Sequence, residues 1–164
     1  MPAFKNLLVP VDTDVTGDRA LAERLVDGAA DLAKALGAKV TLAHVALPVV
    51  EPGVLPIDGY TVAYRAMNDV LEARNAAASR ALSALKERSE KRGASTDTML
   101  VTRGGSVPER IIDAAVERGA DLIVLATHGR GGVSRLVLGS VAERTAHLAA
   151  RASGPAVLLL PAGA

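Results

Sequence analysis

Strand-like and helix-like segments alternate from one end of this chain to the other, five of the first kind and four of the second. Leu7-Leu8-Val9-Pro10-Val11 is a short continuous apolar run, suited to a strand covered on both faces. A helix follows, capped by Thr16 or Asp18, with Leu21, Leu25, Ala29, Leu32, Ala33 and Leu36 on one stripe and Gly37 at its end. Residues 39–46 form the second strand. Residues 47–60, with Pro48, Pro52 and Pro56, read as a loop and candidate rim of a site.

A long amphipathic helix over 61–92 follows, carrying Met67, Leu71, Ala78, Leu82 and Leu85 on one face, before a third strand at 98–101. Ser106 and Glu109 form a capping box for a helix that buries Ile111, Ile112, Ala115 and Val116. The fourth strand spans 121–126. Ser140 and Glu143 form a second capping box, and the last strand spans 156–160. Such alternation implies an α/β protein: one domain over 1–164, built on an open five-stranded parallel sheet with helices on both faces.

Composition narrows the function classes. The 164 residues are 49% hydrophobic but only 2% aromatic, so the core packs Ala, Val and Leu. A net charge of +1 supplies no field to steer the chain to nucleic acid. Aromatic platforms for single strands are also missing. No cysteine is present, which removes thiol catalysis and cysteine zinc sites. The apolar runs are too short to span a bilayer, and the first residues do not form a signal peptide, so a cytoplasmic protein without membrane insertion is expected.

The segment from Ala126 to Glu143 says most about chemistry. A strand runs into a loop carrying Gly129, Gly131, Gly132, Arg130 and Arg135, and Gly139-Ser140 then opens a helix. Glycines let backbone N–H groups approach a ligand, and a helix start adds unpaired donors and partial positive charge. Strand, glycine loop and helix start together make a phosphate cradle, although an ordinary glycine-rich turn has the same outline. There is no G-x-x-x-x-G-K-[ST], and Ser134 stands where a G-x-G-x-x-G pattern needs its third glycine. These absences set aside P-loop enzymes and dinucleotide dehydrogenases. In open α/β sheets ligands sit at the carboxyl ends of strands near the switch point, which adds Pro10-Val11-Asp12-Thr13. Asp12 suits a nucleoside hydroxyl or an adenine edge, or else caps the next helix.

Gly129, nine residues, then Gly139-Ser140 resembles the ATP-binding signature of the universal stress protein family, G-x2-G-x9-G-[ST]. Asp12, Leu42-Ala43-His44-Val45, the Gly105-x-x-Pro108-Glu109 turn and the terminal Val157-Leu158-Leu159-Leu160-Pro161 are similar to that family in order. Ala126 stands at the first glycine position, where a methyl either crowds the nucleotide or only adjusts the turn.

The resemblance implies a Rossmann-like, adenine nucleotide alpha hydrolase-like fold that binds ATP. Asp12 would meet adenine or ribose, flanked by Pro10, Val11 and Thr13, and Val45 would meet adenine through its backbone. Gly129 and Gly139 would bring N–H groups to the phosphates and Ser140 would donate from the helix start. Arg130 would lie near the distal phosphates, with Ala126, Thr127, His128, Gly132 and Val141 completing the lining. Any divalent ion, Mg or Mn, would arrive with the nucleotide. His44 reads as a core histidine and His147 as a solvated one.

No Ser/His/Asp set or paired carboxylate is positioned near the loop. The expectation is therefore a nucleotide-loaded stress sensor or regulator that is not an enzyme. A nucleotide-independent dimeric interaction module is the rival, and a slow ATP hydrolase is a third alternative. A homodimer through strand 156–160 is expected, since no charge or internal proline blunts that strand.

Overall fold

The computed structural model describes residues 4–14, 17–46, 61–127, 138–151 and 154–161. Nine elements alternate as the sequence implies: β1 (Asn6–Pro10), α1 (Arg19–Leu36), β2 (Lys39–Val45), α2 (Thr61–Lys91), β3 (Ser95–Val101), α3 (Val107–Glu117), β4 (Leu122–Ala126), α4 (Ser140–Arg151) and β5 (Ala156–Leu160). The strands form one parallel sheet in the order β3-β2-β1-β4-β5. The chain thus grows outward from β1 through β2 to β3, then crosses back to β4 and β5. Right-handed crossovers running in opposite directions leave their helices on opposite faces. Accordingly, one core cluster joins Leu7 and Val9 to Leu25, Val26, Leu82 and Leu85 of α1 and α2. The other joins Leu8 and Ile123 to Ile111, Ala115 and Ala142 of α3 and α4.

The alignment of β1 with β4, which frames the switch point, is pinned at the opposite edge of the sheet. The Asp121 carboxylate accepts the Lys5 and Asn6 N–H groups at 2.8 and 3.1 Å. Leu7 then pairs with Leu122 and Leu8 with Ile123.

Local rules explain the helix ends. Asp18, not Thr16, caps α1 by accepting the Leu21 N–H at 3.0 Å; Thr16 lies outside the described residues. Gly37 closes α1 in the left-handed conformation, φ 64°. Gly28 serves closeness instead, because a Cβ there would stand 3.0 Å from a Leu160 methyl.

Four expectations need correction. β3 starts at Ser95 rather than at 98, because the polar Thr96 is buried with a partner: its hydroxyl lies 2.7 Å from that of buried Ser89. α1 turns Ala22, Val26, Ala29, Ala30 and Ala33 inward around Leu25, leaving Leu21, Leu32 and Leu36 half-buried. Alanines let the helix axis approach the sheet closely. Met67 is 59% exposed although it shares the apolar stripe of α2. The 31 residues of α2 reach about 46 Å, roughly twice a seven-residue strand, so the helix overhangs the sheet. No described α2 side chain before Leu71 is buried. Val116 faces solvent at 70%, on the side of α3 opposite buried Ile111, Ala114 and Ala115.

Candidate functional site

All five strands point their carboxyl ends to one edge, where the candidate residues of β1, β2 and β4 converge. Pro10 ends β1 opposite Ala43, and the Val11 N–H adds one last bond to the Ala43 carbonyl at 2.8 Å. Val11 is buried, whereas Asp12 is exposed just beyond it. Extending the pairing of Leu8 with Ile123 by four residues sets Asp12 level with Thr127. Val45 ends β2 opposite Val101, two residues past the partner of Pro10.

The Asp12 segment is held by side-chain groups once the ladder stops. Asp12 Oδ1 accepts the Asp14 N–H at 3.0 Å, and the Gly17 N–H reaches the Asp14 carbonyl at 2.7 Å. The Arg74 guanidinium of α2 donates to both Asp14 carboxylate oxygens at 2.8 Å. His44 of β2, buried, brings Nδ1 to 3.3 Å from the Thr13 nitrogen and 3.1 Å from the Val11 carbonyl oxygen. The Thr13 hydroxyl oxygen is buried without a hydrogen-bond partner.

On the β4 side, the Thr127 N–H extends the ladder to the Leu160 carbonyl at 2.9 Å. The Thr127 carbonyl in turn accepts the Gly139 N–H at 2.8 Å. The two ends of the glycine segment are thereby clasped, and α4 starts beside the end of β4. His128, Gly129, Arg130, Gly132 and Arg135 lie outside the described residues. The 47–60 segment does too.

Two expected roles change. The Gly139 N–H is spent on Thr127, so it is not open to a ligand, whereas the following N–H groups of the first turn lack intrahelical acceptors. The Ser140–Glu143 capping box also gives way. The Gly139 carbonyl accepts the Glu143 N–H at 2.9 Å, which puts Gly139 at the cap, and Ser140 is already the first helical residue. Ser140 and Val141 are exposed on that first turn. The Ala126 methyl packs against the core cluster on the α1–α2 face.

The earlier capping box does form. The Ser106 N–H donates to Glu109 Oε2 at 3.1 Å. Bonds from the Ser106 hydroxyl and backbone hold the Glu109 carboxyl below its ordinary value. Among the described residues, no three His, Asp or Glu side chains gather into a cluster that could hold a metal. A cavity of about 150 Å³ lies between the end of β3 and α3, lined by Thr102, Arg103, Arg110, Asp113 and Glu117, two strands from the β1–β4 switch point.

Sequence reasoning did not assign His44 and Arg74 to this edge. An ion pair between Arg74 and Asp14 joins residues 60 positions apart, and no local pattern marks it. The His44 signal was visible only as its place near the carboxyl end of a strand.

Chemically, the edge pairs an exposed carboxylate and a buried unpaired hydroxyl on one side with a helix N-terminus on the other. That polarity fits a ligand with hydroxyls at one end and negative charge at the other.

The model of the Universal stress protein family matches residues 3–151. The chain belongs to the universal stress protein family. Universal stress protein MJ0531 of Methanocaldococcus jannaschii is 31% identical over 143 residues, covering 86% of this chain and 75% of that one. Universal stress protein YxiE of Bacillus subtilis is 28% identical over 149 residues, covering 88% and 93%. Among solved structures, the universal stress protein from Archaeoglobus fulgidus in complex with dAMP is 25% identical and superposes with a TM-score of 0.58, covering 96% of this chain and 98% of that one. The family's Rossmann-like parallel sheet is thus the frame on which this carboxyl edge is built.

Proposed function

We propose that this universal stress protein binds ATP at the carboxyl edge of the sheet, between the ends of β1 and β4, and acts as a sensor or regulator through its loaded state. The observation that carries the reading is the clasp of Thr127 to Gly139, which starts α4 beside the strand next to Asp12. The dAMP complex of the Archaeoglobus fulgidus relative supports an adenine nucleotide as the ligand. Asp12 would receive the ribose or adenine, Val45 would meet adenine through its backbone, and the first turn of α4 would receive phosphate. The segment with Gly129, Arg130 and Gly132 would complete the phosphate contacts, and Mg or Mn would enter with the nucleotide.

The protein is read as one cytoplasmic domain that binds without steady turnover. Among the described residues no helix is long and apolar enough to cross a membrane. ATP hydrolysis is expected far below about 1 s⁻¹, the low end of typical enzymes. Sustained turnover above that rate, abolished by Asp12→Asn, would overturn the non-enzymatic part.

Calorimetric titration of ligand-stripped protein tests the binding. Affinity in the micromolar range or tighter, about −8 kcal/mol, is expected. Absence of heat or competition with millimolar ATP would reject the reading.

The second reading, a dimeric interaction module, draws on β5. Among the described strands it pairs only with β4 and lies at the sheet edge, with Val157, Leu158, Leu159 and Leu160 half-buried. Pairing with the same strand of a second copy would satisfy its open backbone groups. Light scattering should report a dimer that Leu159→Lys converts to soluble monomer. A monomeric wild type rejects it.

A further inference from the structure

We propose that His44 is a positioning residue for the Asp12 segment: its imidazole Nδ1 accepts the Thr13 N–H and so clamps the backbone just past Asp12 to β2 without touching ligand. The consequence for affinity rests on the adenine-nucleotide reading above; the clamp itself does not. The last main-chain bond between β1 and β2 is the Val11 N–H to the Ala43 carbonyl. Beyond it the strand has ended, and His44, the next residue of β2, takes over with its side chain.

One ring nitrogen faces two opposite demands. Nδ1 lies 3.1 Å from the Val11 carbonyl oxygen, which needs a donor, and 3.3 Å from the Thr13 nitrogen, which needs an acceptor. The neutral imidazole meets one of them in each tautomer. With the proton on Nε2, the Nδ1 lone pair takes the Thr13 N–H. With the proton on Nδ1, the ring donates to Val11. The first of these bonds is the clamp: it ties the segment carrying Asp12 to β2. The Thr13 hydroxyl is buried and bonds to nothing, so Thr13 is not anchored through its side chain. Asp12 in turn aligns Asp14 by accepting its N–H, and Arg74 fixes the Asp14 carboxylate. His44 is therefore the inner end of a chain of contacts that sets where the Asp12 carboxylate stands. A histidine that merely filled the core would leave this segment indifferent to its replacement by an apolar side chain of similar size.

The test compares His44→Leu, His44→Asn and His44→Gln. An asparagine oxygen falls near the Nδ1 position, whereas glutamine reaches toward the Nε2 position instead. Hydrogen exchange of the Thr13 amide is followed by NMR in ligand-free protein, and ATP affinity by calorimetry. His44→Leu should speed Thr13 exchange and weaken ATP binding each by about tenfold, the scale of one lost hydrogen bond. His44→Asn should restore most of both, and His44→Gln neither. Unchanged Thr13 exchange in His44→Leu overturns the clamp. So does equal exchange in the Asn and Gln variants, a comparison that holds even where the leucine variant does not fold. If wild-type protein binds no ATP, the nucleotide reading fails while Thr13 exchange still decides the clamp. If ATP binds and His44→Leu matches wild-type affinity, the link from clamp to ligand is overturned.

Discussion

The two ends of the α1–α2 layer use the same chemical groups for different work. Towards the amino ends of the strands, Glu23, Asp27 and Asp31 stand four residues apart on α1, facing Arg88 in the last turn of α2 and Arg92 just past it. Arg88 grips Asp27 through two bonds of 2.6 and 2.7 Å, and Arg92 grips Asp31 through two of 3.0 and 2.6 Å. The Arg88 hydrogen bonds hold the Asp27 carboxyl below its ordinary value, and those of Arg92 do the same for Asp31. At the carboxyl edge, Asp12 and His44 bond instead to backbone N–H and C=O groups, and Arg74 pairs with Asp14. The difference follows from the backbone. Inside helices every main-chain group is paired, so carboxylates and guanidiniums find each other. Where strands end, side chains must satisfy the main chain, and its position becomes sensitive to each of them.

Changes at the ladder end should therefore move stability and leave ligand affinity alone; changes at the strand ends should do the reverse. The largest effect is expected for Gly139→Val, which should abolish ATP binding in calorimetry by placing a side chain where α4 would meet the phosphates. Normal affinity in that variant would dissolve the contrast, because the clasp would then be purely structural. Leu82→Ala, beneath the ladder and 2% exposed, should cost about 2–5 kcal/mol in urea unfolding with unaltered affinity of the folded fraction. Asp18→Ala lies between the regions and sharpens the border. Loss of its cap to Leu21 should cost about 1 kcal/mol. An accompanying drop in ATP affinity would extend the ligand edge into α1.

The smallest effect concerns the ladder itself. Asp27 has a folded pKa below its unfolded value, so its contribution is present above the unfolded pKa, about 3.9, and is lost as pH falls through the folded value. Arg88→Ala should lower the urea midpoint at neutral pH, with the gap to wild type closing below about pH 4. A gap that persists in acid would mean Arg88 stabilises by packing its stem and not by charge.

Much of this was legible in the sequence. Period and punctuation are local properties, so Leu7–Val11 and Gly37 sufficed to place the first strand and the end of the first helix. A parallel sheet sends every strand end to one edge, so Asp12 and Thr127 had to lie on the same side. The parts that were misread are those where a distant partner reverses a local preference. Ser95-Thr96-Asp97 looks like a turn until the Ser89 hydroxyl meets Thr96, and Met67 looks buried until α2 proves longer than the sheet beneath it.

By itself, then, the sequence determined the alternation and the parallel sheet, because each depends on residues close along the chain. Only the tertiary structure decided that Gly139 spends its N–H on Thr127, that Arg74 finds Asp14, and that His44 reaches Val11 and Thr13. Those bonds join residues 12, 60, 33 and 31 positions apart, respectively, and a hydrogen bond is made by distance in space, which no spacing along the chain encodes.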